Sequence, residues 1–77
     1  MHMITLDSLV PGESGVIVRV GGSGALRHRL LDMGLTPKTL VKVERMAPMG
    51  DPMELYLRGY RLTLRKEDAN KIEVEKQ

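Results

Sequence analysis

Polar and apolar positions alternate with a period of two along most of this chain, and the period lengthens once. Residues 15–20 read G-V-I-V-R-V, a β-branched run that favours a strand. Strict alternation puts Val16, Val18 and Val20 on one face and Ile17 and Arg19 on the other. From Ala25 the apolar positions become Leu26, Leu30 and Met33, with Leu31 beside them, the spacing of an amphipathic helix over about residues 23–33. Ser23 stands at the N-cap, where its hydroxyl can accept from a first-turn amide. Gly34 follows at the position that takes a left-handed conformation, and Leu35 after it is placed to pack back on Leu30. Thr36-Pro37 then stops the helix, because the residue before proline is pushed out of helical geometry.

The period of two returns at residues 39–46, with Leu40, Lys42, Glu44 and Met46 opposed to Val41, Val43 and Arg45. Residues 47–52, with two prolines, a glycine and an aspartate, read as a loop. Residues 53–58 and 60–65 alternate as two strands joined through Gly59 alone. Residues 66–70 suit a single helical turn, Ile72 and Val74 a last strand, and residues 75–77 a frayed tail. Residues 4–9 open the domain, ahead of a Pro11-Gly12 turn. The fold expected is mainly β: a small barrel of about five strands with one inserted helix, closed so that no strand edge stays exposed.

Length limits this picture to one domain, residues 1–77, with residues 1–3 read as a start or tag remnant. A chain of this size buries only roughly 60% of its unfolded surface, which leaves little room for a deep cleft beside a core. The absence of cysteine excludes a disulfide framework, a thiolate zinc site and a cysteine nucleophile. No apolar run reaches the roughly 18 residues that span a bilayer, and no secretory leader is evident. The net charge is +2, and Arg19, Arg27, Arg29, Lys38, Lys42, Arg45, Arg58, Arg61 and Arg65 are interleaved with acids. That reads as a solvated surface of mixed charge rather than a nucleic-acid face. Tyr56 and Tyr60 are the whole aromatic content, too little for a stacking platform or a proline-rich peptide groove.

Candidate chemistry is sparse. Ser8, Ser14 and Ser23 each sit beside turn or cap signals, and no nucleophile, base and orienting acid form a triad. His28 and Asp32 at i and i+4 suit a helix-surface ion pair. Joined by Glu44 or Asp51 they still show no metal-ligand spacing, and Met46, Met49 and Met53 read as adaptable apolar contacts. Gly21, Gly22 and Gly24 precede the helix, whose N-terminus favours anions, but the phosphate-loop lysine is missing. No catalytic residue, metal or cofactor is expected. The helix stripe remains, wide for so small a domain and suited in part to docking a partner.

The order of these features resembles a known family. The stretch L-x-x-L-V-P-G-E-S-G-V-I-V-R-V, the block R-L-L-D-M-G-L-T-P at residues 29–37 and the G-D-P turn at residues 50–52 are similar to the FeoA family. R-G-Y-R-L-T-L-R-K-E-D-A and a closing I-E-V agree, so the resemblance runs from Ile4 to Val74. It implies an SH3-like barrel with an inserted helix, a cytoplasmic location, and a non-enzymatic role as accessory partner of FeoB, the ferrous-iron transporter. The partner-binding residues expected on that basis are Leu26, Arg27, Leu30, Met33, Gly34 and Leu35, docking on FeoB's cytoplasmic region. Neither nucleic acid nor membrane insertion is expected; a weak homo-oligomer stays open. Rival readings are a metal- or anion-sensing domain and a weak nucleic-acid-binding barrel. Lys38 departs from the family's frequent glycine after Thr-Pro, implying a turn built without a left-handed residue.

Overall fold

The computed structural model describes residues 3–77; Met1 and His2, read above as a start remnant, lie outside the described residues. Six strands form one antiparallel sheet: β1 Met3–Thr5, β2 Ser14–Val20, β3 Leu40–Met46, β4 Met53–Leu57, β5 Tyr60–Leu64 and β6 Ile72–Lys76. Helix α1 spans Gly24–Asp32, helix α2 spans Lys66–Ala69, and Leu6–Ser8 form a 3-10 turn after β1. The strand order is β1-β6-β2-β3-β4-β5. The barrel expectation holds for the mainly β architecture with an inserted helix. Two details differ: there is a sixth strand, and the ladder stays open between β1 and β5.

The sixth strand is β1, where Ile4 pairs with Val74. It is too short to show a period in the sequence. Of residues 75–77, expected to fray, Glu75 and Lys76 instead complete β6 and Gln77 is tied to β2. Glu75 pairs with both Met3 and Val16, and the Gln77 amide donates to the Ser14 carbonyl at 3.0 Å. At the same corner Lys76 Nζ lies 2.6 Å from Glu13. That hydrogen bond, with a second from the Val10 amide, holds the Glu13 carboxyl below its ordinary pKa.

Two β-bulges bend the sheet around its core. The β2–β6 register shifts between Ile17 and Arg19, and the β3–β4 register between Val43 and Arg45. An extra residue in one strand increases its local twist and re-aims the side chains beyond it. Simple alternation therefore fails at Val18 and Glu44. Ile17 and Val20 both face inward although they are three apart, while Val18 is exposed. The core joins Ile17, Val41, Val43, Leu55, Leu57, Ile72 and Val74 from the sheet to Leu6 and Leu9 from the first turn. Leu30 and Leu35 close it from the side of α1.

The β4–β5 connection uses two residues, not one. Leu57 pairs with Tyr60, and Arg58 and Gly59 both carry positive φ, 48° and 84°. Positive φ at both central positions is what a type I′ turn requires, and its twist matches that of the flanking strands.

Candidate functional site

The residues expected to dock a partner lie on α1 and the turn after it, and the structure divides them. Leu30 and Leu35 are completely buried. They are core, out of reach of any partner, because the helix stripe and the residue after its cap both point into the sheet. Leu26, Leu31 and Met33 are half-buried and pack against that core, so each keeps an exposed flank. Arg27 is exposed, yet its Nε donates to the Val20 carbonyl at 3.1 Å and ties the first turn of α1 to the end of β2.

The start of the helix departs from expectation. Ser23 occupies the N-cap with extended φ and ψ, but its side chain makes no capping hydrogen bond. Beside this end, Leu26 forms one wall of a cleft of about 640 Å³ whose other walls are Asp7 and α2. Asp7 Oδ2 accepts from Asn70 at 3.3 Å, its Oδ1 is buried with no partner among the described residues, and Arg29 reaches Asp68 of α2 at 3.7 Å. The His28–Asp32 ion pair expected from spacing is not among the ion pairs of the described residues. Nor do three or more His, Asp or Glu among the described residues group as metal ligands would.

The far end of the helix is fixed in detail. Gly34 has φ +96°, its amide donates to the Leu31 carbonyl at 3.0 Å, and the Leu35 amide donates to that of Leu30 at 3.2 Å. These two bonds are the Schellman motif expected from the sequence, with Leu35 buried beside Leu30. The carbonyls left over at a helix C-terminus carry its partial negative charge and need donors. The β4–β5 hairpin supplies them. Tyr60 Oη donates to the Met33 carbonyl, and Arg58 Nε donates to that of Gly34 at 3.2 Å. The same guanidinium reaches the hydroxyls of Thr36 and Thr39 at 2.7 and 2.8 Å. Sequence reasoning missed this clamp. Arg58 and Tyr60 were legible only as hairpin residues, and nothing local ties them to a loop 19 to 27 positions earlier.

The turn inside the clamp corrects a second expectation. Lys38 does adopt a left-handed conformation, with φ 73°, and the Thr39 amide donates to the Thr36 carbonyl at 3.2 Å. Pro37 then Lys38 occupy the central positions of a turn that ordinarily places glycine second.

A sequence model of the FeoA domain matches residues 4–76. The chain belongs to the FeoA domain family. It is 44% identical over 70 residues to the Fe(2+) transport protein A/Fe(2+) transporter FeoB fusion protein of Porphyromonas gingivalis (strain ATCC BAA-308 / W83). That match covers 91% of this chain but only 8% of the fusion protein. Among solved structures, a FeoA crystal structure described as an iron uptake regulatory protein superposes with a TM-score of 0.90 at 30% identity, covering 99% of this chain and 100% of that one. The zinc complex of Stenotrophomonas maltophilia FeoA, described as a prokaryotic SH3 domain protein, gives a TM-score of 0.82 at 25% identity, with 94% and 89% covered. The fold is SH3-like. No helix among the described residues is long and apolar enough to cross a membrane.

Proposed function

We propose that this FeoA-family chain is a non-catalytic accessory domain of ferrous-iron uptake. It acts in the cytoplasm by docking on the cytoplasmic region of a FeoB-type transporter and modulating that transporter's assembly or activity. The observation that carries this reading is the fusion in the Porphyromonas gingivalis relative, where a region 44% identical to this chain shares one polypeptide with the transporter. Covalent linkage places two parts at a high mutual effective concentration, an arrangement that serves domains working in contact.

The surface offered to the transporter centres on the exposed flank of Leu26 with Arg27 at the start of α1, with Met33 and Gly34 beyond the helix end at its margin. Leu30 and Leu35 hold that surface in place from below. A pull-down by the transporter's cytoplasmic region tests this. Wild type is retained, while Leu26→Gln and the exposed neighbour Ala25→Glu lose at least about tenfold in affinity, near 1.4 kcal/mol. Ala25 lies in the first helical turn, where a carboxylate suits the helix dipole, so that variant folds. No retention of wild type, or equal retention of both folded variants, contradicts the reading.

A further inference from the structure

The outer face of β3 and β4 carries a second surface, which docking through α1 does not use. A groove of about 470 Å³ crosses it. Its floor is apolar and open to solvent, with Leu40 55% and Tyr56 42% exposed. Its walls are cationic: Lys38, Lys42 and Arg58 line it, and among the described residues no carboxylate does. Strand register brings these groups together, since Lys42 lies opposite Tyr56 and Leu40 precedes Lys42 by two on the same face.

The positive charge is not neutralised in place. Glu44 approaches Lys42 at 3.8 Å, but the same carboxylate is 3.7 Å from Arg61, so two cations share one anion. Arg58 gives its donors to a carbonyl and two hydroxyls, all neutral. Lys38, an exposed residue lining the groove, takes a left-handed backbone position that glycine would occupy without strain. Cationic residues lining an exposed apolar depression suit recognition of an anionic chain.

We propose that this groove binds an acidic polypeptide segment bearing an apolar side chain, which sits on Leu40 and Tyr56 while its carboxylates face Lys38, Lys42 and Arg58. Charge complementarity selects this occupant. A nucleic acid would need several stacking faces, and among the described residues the groove offers Tyr56 alone. The proposal does not depend on the transporter reading.

Fluorescence anisotropy of the full chain with a short fluorescein-labelled peptide of glutamates carrying two leucines tests it. Saturable binding is expected below about 1 mM at low salt, weakening as salt screens the charges. Lys38→Gly weakens binding about threefold or more while its melting temperature is unchanged or raised, and Leu40→Ser weakens it about fivefold. An all-glutamate peptide binds at least about fivefold more weakly than the leucine-bearing one. Absence of saturable binding by wild type overturns the proposal. So does unchanged affinity in both folded variants, or tighter binding of a thymidine oligonucleotide of equal charge.

Discussion

The two ends of α1 are held by opposite means. At its start, Ser23 caps with backbone geometry alone, and the first turn is tied down by one bond from Arg27 and by the inner side of Leu26. At its end, a left-handed glycine closes a Schellman motif, and Arg58 and Tyr60 donate to the carbonyls of Gly34 and Met33. Of the two ends, the turn from α1 into β3 is the more densely hydrogen-bonded. The opposite end presents exposed side chains and is joined to the scaffold by the inner side of Leu26 and one bond from Arg27. The docking surface proposed above is centred on that lightly held end, where substitution is expected to alter contacts at little cost to the fold.

Substitutions can separate the two ends. The largest effect is expected beneath both: Leu30→Ala removes a fully buried side chain from the core and should cost about 2–5 kcal/mol, read as a fall in the urea midpoint. At the clamped end, Gly34→Ala forces a Cβ onto a residue with φ +96° and brings it 3.3 Å from the Tyr60 hydroxyl. The left-handed geometry alone costs about 1–2 kcal/mol, and the crowding adds to it. Arg58→Ala deletes bonds to three acceptors at a partly solvated site, for about 1–2 kcal/mol, and should raise amide exchange at Leu35 and Thr39. Ser23→Ala, which ordinarily costs about 1 kcal/mol at a capping serine, is expected to change the melting free energy by less than about 0.5 kcal/mol because no cap bond is lost. A large loss at Ser23 together with a small one at Arg58 would invert the comparison.

Much of this arrangement was legible along the chain. The helix, its Gly34 stop and the packing of Leu35 on Leu30 follow from residues within ten positions of one another, where spacing and cap chemistry act directly. The strands flanking the 47–52 loop and the hairpin at Gly59 were visible for the same reason. What escaped depends on distant partners. The bulges at Val18 and Glu44 arise from pairing with β6 and β4, and carry no residue-type signal of their own. β1 exists because Val74 accepts it as a neighbour. Lys38 adopts a conformation its own type disfavours, held there by bonds that include the one from its amide to the Ile17 carbonyl at 2.7 Å. For the candidate site, the apolar stripe was visible as part of the helix but could not be divided by sequence, since a leucine that plugs the sheet and one that flanks it look alike. Burial divides them, leaving Leu26 and Arg27 at the surface edge and assigning Leu30 and Leu35 to the core.

The claim that the lightly held end of α1 meets the transporter is tested most directly by titrating isotope-labelled protein with the FeoB cytoplasmic region and following backbone amide resonances. Saturable shifts centred on Ala25, Leu26 and Arg27, with little change across β1 and β6, are the predicted result. An absence of shifts at saturating concentration, or shifts that leave α1 untouched, would contradict it.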